Sequence, residues 1–156
     1  MNDIIGVIGA GTMGNGIAQA CAVAGIDAVM LDINEAAVQK GVATVSGSLD
    51  RLVKKEKMTA EERDAALARI RGSTSYDDLA DCTLVIEAAT EKEAVKRAIF
   101  DELCKNVRKD TILATNTSSI SITRIAAASK DPSRVIGMHF FNPVPLMQLV
   151  EVIRPL

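Results

Sequence analysis

A buried strand, a glycine-rich turn and an alanine-rich helix follow one another at the start of the chain. The strand pattern is Ile4-Ile5-Gly6-Val7-Ile8, the turn is Gly9-Ala10-Gly11-Thr12-Met13-Gly14, and an apolar segment then continues to Ala24. In this order the first glycine allows a tight turn, the second lets a pyrophosphate approach the backbone, and the third lets the helix pack closely on the strand. The phosphate lies at the helix N-terminus. The motif predicts a dinucleotide site, with a turn that serves packing alone as the alternative.

A carboxylate follows at the position where a dinucleotide site needs one. The apolar run Ala28-Val29-Met30-Leu31 ends in Asp32, about 20 residues after the glycines, the interval expected for a carboxylate that hydrogen-bonds the adenosine ribose. Its charge would repel a 2'-phosphate, and the next cation along the chain is Lys40. The sequence therefore favours NAD over NADP.

Strand and helix patterns alternate along the rest of the chain, which predicts a Rossmann-type, doubly wound α/β fold with a mainly parallel sheet. Two helices, from a cap at Asn34 or Asp32 to about Lys57 and from a capping box at Thr59 to near Gly72, predict a helical hairpin insertion. The other predicted elements are a short strand near Ser73, a turn at 77–80, strands at 83–86, 111–115 and 135–140, and helices at 93–107 and 122–128.

Ligands of such sheets bind beyond the carboxyl ends of the strands. The loops expected to form one site carry Gly9 to Gly14, Asp32, Glu91, Asn116 to Ser119, and His139 to Asn142.

The only histidine, His139, lies in the run Gly137-Met138-His139-Phe140-Phe141-Asn142-Pro143-Val144-Pro145. Two prolines take the chain out of the strand ladder, so it can fold back and bring Glu151 near the imidazole. A carboxylate that orients an imidazole makes it an acid or base near neutral pH. A lone histidine at a strand end is more often a satisfied core residue, and this alternative stays open on these residues alone.

Composition limits the other classes of function. The chain has 156 residues, of which 48% are hydrophobic, enough for one core. Its net charge of -2 and the absence of a basic stripe with interleaved aromatics argue against a nucleic-acid partner. The sequence has no basic leader region and no apolar run of membrane-spanning length. Three cysteines, Cys21, Cys82 and Cys104, have no metal-ligand spacing, which predicts reduced thiols, a cytoplasmic protein and no metal site.

Two polar segments have both a structural and a functional interpretation. Asn116-Thr117-Ser118-Ser119 precedes a helix and is an ordinary capping sequence, although one hydroxyl can cap while another binds a substrate oxygen. The cations between Arg51 and Lys57 fit the solvated face of a helix, or a basic helix that meets the phosphates of a large anionic substrate.

Taken together, these segments resemble the (3S)-3-hydroxyacyl-CoA dehydrogenases, and most of all the bacterial 3-hydroxybutyryl-CoA dehydrogenases. The resemblance covers the whole chain in order. Its most specific part is the last, in which histidine, asparagine, proline and glutamate recur at matching intervals. The segments that carry it are Gly9 to Gly14, Ile86-Glu87-Ala88-Ala89, Asn116 to Ser119, and Gly137 to Pro143 with Leu149-Val150-Glu151-Val152.

The resemblance implies an NAD-dependent oxidoreductase that interconverts (3S)-3-hydroxyacyl-CoA and 3-ketoacyl-CoA. It implies that His139 is the base for the 3-hydroxyl and that Glu151 is its orienting partner. The other implied contacts are Ser118 and Asn142 to the substrate; Gly9, Gly11, Thr12, Met13, Gly14, Asp32 and Asn116 to NAD; Glu91 and Lys96 to the nicotinamide ribose; and Ser48 and Lys55 to CoA.

Members of that family are usually nearly twice as long, with a helical second domain that closes over the acyl-CoA. For this chain we expect one NAD-binding domain over residues 1–156, without its last strands and without the helical domain. We therefore expect self-association or a partner that supplies that domain. Two other functions stay open: a non-catalytic NAD-binding module or structural fragment, and an NAD-linked dehydrogenase of a free hydroxy acid.

Overall fold

A computed structural model describes residues 2–155 and places seven strands in one sheet. The strands are β1 (Ile4–Ile8), β2 (Asp27–Leu31), β3 (Ile70–Ser73), β4 (Leu84–Glu87), β5 (Ile112–Thr115), β6 (Val135–Phe140) and β7 (Val150–Ile153). The helices are α1 (Thr12–Val23), α2 (Glu35–Lys54), α3 (Ala60–Ala68), α4 (Glu93–Asn106) and α5 (Ile122–Ala128), with short 3₁₀ turns at Tyr76–Leu79 and Pro132–Arg134.

The strand order is β3-β2-β1-β4-β5-β6-β7. The first six strands are parallel, and β7 runs antiparallel to β6. This order confirms the predicted doubly wound fold with a mainly parallel sheet. The carboxyl ends of β1, β2, β4, β5 and β6 meet at one edge of the sheet, where the predicted site loops lie.

Alternate residues of each central strand face opposite helical layers, as the two-residue period of a strand requires. Val7 packs in a cluster with Ile17 of α1, whereas its neighbour Ile8 packs in a cluster with Phe100 of α4. All four are at most 3% exposed. Full burial of such a side chain contributes about 1.5–3 kcal/mol, so both layers hold the strand ends firmly in place.

Helices α2 and α3 form the predicted hairpin. Asn34 caps α2 by accepting a hydrogen bond from the Ala37 amide at 2.8 Å. Thr59 and Glu62 make the reciprocal bonds of a capping box at the start of α3. The hairpin packs on α1 through Ala22, Val45, Leu49 and Ala66.

The predicted end of the second hairpin helix is wrong. The helix was expected to reach Gly72, but α3 ends at Ala68 and the chain enters β3 at Ile70. The Ala28 amide donates to the Arg69 carbonyl at 2.9 Å, and Ile70 pairs with Ala28 in the parallel ladder. Pairing with β2 therefore overrides the local helical tendency of these residues.

The cysteines are free thiols, with Cys82 buried and Cys21 and Cys104 half-buried. Burial raises the pKa of Cys21 to about 11, so its thiol stays protonated at neutral pH. Within residues 2–155 there is no group of three or more side chains that could hold a metal ion. Those residues also form no helix with the length and apolar character needed to cross a bilayer.

Two glycines of α2 provide a matched test of packing. A Cβ on Gly41 would lie 2.8 Å from the carbonyl oxygen of Ala10, whereas a Cβ on Gly47 would approach only the flexible Arg51 side chain, at 3.8 Å. Replacing glycine by alanine inside a helix stabilises it by up to about 1 kcal/mol through helix propensity, at either position. Overpacking against backbone costs about 1–3 kcal/mol. Urea denaturation should show a lower free energy of unfolding for Gly41→Ala and a higher one for Gly47→Ala. A stabilising effect of both substitutions would contradict the close contact between α2 and Ala10.

Candidate functional site

In the glycine turn after β1, neighbouring backbone leaves no room for a side chain at Gly9 and Gly14, whereas the space beside Gly11 is open. Gly9 has a φ of +108°, and a Cβ there would lie 2.8 Å from the carbonyl oxygen of Ala88. A Cβ on Gly14 would overlap the carbonyl oxygen of Gly9. A Cβ on Gly11, in contrast, would meet no atom within 4 Å. The turn thus has the shape needed for a pyrophosphate to approach the backbone at Gly11.

The N-terminus of α1 adds hydrogen-bond donors to this turn. The helix begins at Thr12, and its N-cap residue, Gly11, makes no side-chain capping bond. The first amides of a helix have no partner within the helix, and they favour negative charge. Among the predicted cofactor residues, Gly9, Gly11, Thr12 and Met13 line the cavities of this edge, whereas Gly14 lies behind Gly9 and sets the packing of the helix.

Asp32 lies at the carboxyl end of β2 and is fixed in orientation. One carboxylate oxygen accepts from the Ala10 amide at 2.9 Å, and the other accepts from the Ile33 amide at 2.7 Å. Asp32 lines a cavity of about 310 Å³ together with Gly11 and Lys40. Lys40 is the next cation along the chain after Asp32, and the first turns of α2 bring it to the wall of this cavity.

A second cavity, of about 370 Å³, connects Asp32 with the ends of β4 and β5. It shares Gly11, Thr12 and Asp32 with the first cavity and continues to Glu91 and Asn116. An extended ligand with an anionic centre fits this arrangement, because the glycine turn lies in the middle and a fixed carboxylate lies at one end.

Glu91 links the loops that follow β4 and β5. Its Oε2 accepts hydrogen bonds from the hydroxyls of Thr117 and Ser119, each at 2.7 Å. Partial burial acts to raise the pKa of Glu91, but the hydrogen bonds from Ser119 and Thr117 and the nearby charge of Lys96 outweigh it and lower the pKa below its ordinary value. Glu91 is therefore an ionised clamp between the two loops.

The serine and threonine hydroxyls of the loop after β5 have different hydrogen-bond partners. Thr117 accepts from the Ile120 amide at 3.2 Å, and Ser121 accepts from the Arg124 amide as the N-cap of α5. The hydroxyl of Ser118 has no hydrogen-bond partner within residues 2–155, and it lines a third cavity with His139. Capping therefore does not occupy Ser118, which leaves its hydroxyl available to a ligand.

His139 and Glu151 face each other across the two last strands. The residues pair in the β6–β7 ladder, and the imidazole Nδ1 lies 3.7 Å from a carboxylate oxygen of Glu151. The predicted fold-back is confirmed. These two atoms are farther apart than the partners of a hydrogen bond, so the carboxylate faces the imidazole without a direct bond to it. The third cavity, of about 240 Å³, also includes Asn142, Asn116 and Glu91.

A basic groove of about 360 Å³ adjoins the histidine cavity through Asn142. The groove is lined by α2 with its C-cap, which present Ser48, Arg51 and Lys55, by one face of α1, and by the segment 142–146. Ser48 and Lys55 were predicted to meet a large anionic ligand, and the structure brings them together here. Arg51 belongs to the run of cations for which contact with the phosphates of a large anionic substrate was one of two interpretations, and the spacing of Ser48, Arg51 and Lys55 along one helix face indicates a shared surface. The α1 residue Gln19, which also lines the groove, was not predicted.

Lys96 is a predicted site residue whose side chain the structure buries away from the ligand surface. Its side chain and that of Glu87 are each 0% exposed, and the ammonium lies 2.5 Å from a carboxylate oxygen of Glu87. The direct contact with a ribose expected from the resemblance is therefore not available in this structure. The sequence signal for the pair is Glu87 itself, because a carboxylate that ends a buried strand needs a cation or donors around it.

Comparison with known proteins gives one consistent family. A family model described as 3-hydroxyacyl-CoA dehydrogenase, NAD binding domain, matches residues 4–155. The 3-hydroxybutyryl-CoA dehydrogenase of Bradyrhizobium diazoefficiens is 56% identical over 150 residues, which cover 96% of this chain and 51% of that protein. The fatty acid oxidation complex subunit alpha of Acinetobacter baylyi is 46% identical over 148 residues, which cover 95% of this chain and 21% of that protein.

Solved structures agree with this result. The crystal structure of (S)-3-hydroxybutyryl-CoA dehydrogenase from Ralstonia eutropha matches with a TM-score of 0.97 and 60% sequence identity, covering 100% of this chain and 55% of that chain. The chain thus spans about half the length of these two 3-hydroxybutyryl-CoA dehydrogenases.

The lowered pKa of Glu91 gives a pH-dependent prediction. Ionised Glu91 contributes stability that is fully present above its ordinary pKa of 4.5 and is lost as the pH falls through the lower value of the folded state. The parent should therefore be more stable than Glu91→Gln at about pH 6, and this difference should shrink towards about pH 3. Urea denaturation at several pH values measures the difference in free energy of unfolding between the parent and Glu91→Gln. Glu102→Gln, which removes an exposed carboxylate of α4, corrects for the loss of one charge. A difference that does not change with pH would contradict the clamp.

Proposed function

The chain belongs to the family of 3-hydroxyacyl-CoA dehydrogenase NAD-binding domains, and from that premise we propose that it takes part in the NAD-dependent interconversion of (3S)-3-hydroxyacyl-CoA and 3-ketoacyl-CoA. The observation that carries the proposal is the position of His139. Its cavity shares Glu91 and Asn116 with the cavity of the glycine turn, and it shares Asn142 with the basic groove. A base at the point where these three cavities join would lie next to both the cofactor and the substrate.

The residues present fit NAD. The turn at Gly11 admits the pyrophosphate, the N-terminus of α1 favours its charge, and Asp32 accepts from the adenosine ribose. NAD⁺, when bound, would supply the acceptor for the hydride that leaves C3 of the substrate. Glu91 and Asn116 border the cavity at the opposite end from Asp32, where we propose that the nicotinamide ribose binds.

His139 is the proposed base. Its Nδ1 faces Glu151, which favours the neutral tautomer with the proton on Nδ1 and leaves Nε2 to take the proton of the 3-hydroxyl. The carboxylate of Glu151 stabilises the resulting imidazolium. In the reverse direction the imidazolium returns this proton to the 3-keto oxygen. Ser118 and Asn142 line the same cavity and support the negative charge that develops on that oxygen.

The basic groove favours a CoA thioester over a free hydroxy acid. Arg51 and Lys55 line a groove of about 360 Å³ that is separate from the histidine cavity, and Ser48 adds a hydroxyl. A small acid would be held within the histidine cavity and would leave these cations without a role. Guanidinium and ammonium groups are suited to phosphates, of which CoA carries three.

An apolar patch at the edge of the sheet supports the proposal that a further domain or a partner covers the site. The patch consists of Leu146, Met147, Leu149, Val150, Val152 and Ile153, all between 36% and 71% exposed. Val150 and Val152 lie on one face of β7 and Ile153 lies on the other, and exposed apolar side chains grouped in one segment favour an interaction surface. Because the chain spans about half the length of its relatives, we propose that this patch meets a further domain that closes over the acyl-CoA. Closure would exclude water from His139.

Asp32 gives the first test of the cofactor site. The parent should bind NAD(H) more tightly than NADP(H), because the fixed carboxylate repels a 2'-phosphate more than the single flexible charge of Lys40 attracts it. Asp32→Ala should weaken NAD(H) binding by about 1–3 kcal/mol, the value of a hydrogen bond to a charged group. Fluorescence titration measures both affinities.

Asp27→Ala is the matched control, since Asp27 is an exposed aspartate at the opposite end of the same strand, and it should leave the affinity unchanged. Equal or tighter binding of NADP(H) by the parent would overturn the proposed role of Asp32.

His139→Gln tests the reaction. The substitution should reduce the turnover of 3-hydroxybutyryl-CoA by about a hundredfold or more, as expected for the loss of a general base. NAD(H) affinity should stay nearly unchanged, because the imidazole acts on the substrate and does not line the two cavities that contain Gly11 and Asp32. Glu151→Gln should also slow turnover. Absorbance of NADH measures the rate, and fluorescence titration measures the affinity.

Free 3-hydroxybutyrate is the control substrate. A parent that oxidises the free acid as well as the thioester would refute the CoA proposal, and NAD(H) binding without oxidation of either substrate would favour the non-catalytic module. If His139→Gln retains the parental rate, the histidine is structural.

A further inference from the structure

We infer, building on the proposed function, that Gln19 is a further specificity residue for the substrate and that its side-chain amide binds a secondary amide of the pantetheine arm of CoA. This arm is the neutral part of CoA that joins the phosphates to the thioester, and it contains two secondary amides. Gln19 thus contacts a part of the substrate that lies between the thioester at His139 and the phosphates at Arg51 and Lys55.

Gln19 is buried, yet its side chain lacks a partner in the protein. The residue lies on α1 and is 3% exposed. Within residues 2–155 its side chain makes no hydrogen bond. The amide is not sealed inside the core, because Gln19 lines the basic groove of about 360 Å³. Removal of an amide from water without a hydrogen bond costs free energy. The groove is therefore the place where a partner for this amide would bind.

The packing of the groove walls does not depend on this amide. On one side of Gln19, a Cβ on Gly16 would lie 2.9 Å from the Cβ of Val144, so α1 and the segment 142–146 are already in direct contact. On the other side, Ala22 packs against the helical hairpin. Both contacts are apolar, so neither gives the Gln19 amide a structural role.

Gln19 lies between the histidine cavity and the cations of the groove. Helices α1 and α2 both begin at the carboxyl edge of the sheet, and Gly41 of α2 lies against Ala10, just before α1. At about 1.5 Å per residue, Gln19 is about 10 Å along α1, whereas Arg51 is about 15 Å along α2 from Gly41. Asn142 joins the groove to the histidine cavity. A CoA thioester that spans both ends would pass Gln19 with its pantetheine arm.

A glutamine side chain suits an amide better than a phosphate. Its carbonyl accepts and its NH₂ group donates, so it can accept from the N–H of a secondary amide or donate to its C=O. Phosphates are better matched by the cations further along the groove. The same groove also has apolar lining residues, Leu52, Val144 and Leu146. Apolar walls with a few polar groups are typical of a site for a neutral, partly apolar part of a ligand.

Gln19→Met separates binding from stability, because methionine has nearly the same shape and lacks the amide. Without ligand, urea denaturation should show that the variant is at least as stable as the parent, since an apolar side chain replaces an amide without a partner. Its affinity for acetoacetyl-CoA, measured by isothermal titration calorimetry, should fall at least about fivefold, because an amide of the arm loses its partner. Gln39→Met, the same change at an exposed position of α2, should leave this affinity unchanged.

A fragment of CoA provides the second probe. The fragment 3′-phospho-ADP carries the phosphates of CoA without the pantetheine arm, so Gln19→Met should bind it as tightly as the parent does. In ¹H–¹⁵N correlation spectra of the parent, the side-chain amide signals of Gln19 should move on addition of acetoacetyl-CoA and stay in place with 3′-phospho-ADP. These spectra test the inference even if Gln19→Met does not fold.

Four results would overturn the inference while a parent that binds acetoacetyl-CoA keeps the proposed function intact. They are an unchanged affinity of Gln19→Met for acetoacetyl-CoA, an equal loss of affinity for both probes, Gln19 amide signals that acetoacetyl-CoA does not move, and a variant less stable than the parent, which would indicate a structural bond of the amide. A parent that binds neither probe would refute the CoA proposal and the inference with it.

Discussion

Direct contact between two backbone segments fixes the position of the whole site. The carbonyl oxygen of Gly9 lies where a Cβ of Gly14 would be, so α1 begins against the end of the central strand β1. The Ala10 carbonyl in turn lies against Gly41 of α2. Because neither contact has room for a side chain, the loop between β1 and α1 has one position relative to both helices. The clefts on its outer side take their shape from that position.

Residues 142–146 connect the two ends of the proposed substrate site. Asn142 lines both the histidine cavity and the basic groove, while Val144 is 5% exposed and packs in the core cluster of α1. A change in the groove can therefore be transmitted to the histidine cavity through a short segment anchored in the core. In the proposed reaction, this arrangement would couple recognition of a distant, charged part of the substrate to the geometry at its reacting carbon.

Local patterns predicted the features that depend on a few neighbouring residues. The glycine turn, the carboxylate at Asp32 and the return of the chain after His139 each follow from spacing and from proline and glycine chemistry. The end of α3 was wrong because pairing with β2, a distant segment, decides it. The burial of Lys96 and the bond from Phe140 to Asn116 were not predictable, since they depend on how the ends of three strands and a helix meet in space. Distance along the chain placed Lys40 away from Asp32, but α2 brings the two residues to the same cavity.

The position of Glu151 has a consequence for how the two halves of the site open and close. Glu151 lies on β7, whose four residues are all exposed and which, in the described part of the chain, pairs with β6 alone. Asp32 and the glycine turn belong to strands held on both sides. Edge strands fray at lower free energy than central ones, because fewer buried contacts oppose their opening. Local opening of β7 would separate the carboxylate from the imidazole while the dinucleotide half remained folded. A contact that stabilises β7 would therefore increase the fraction of molecules in which Glu151 faces His139.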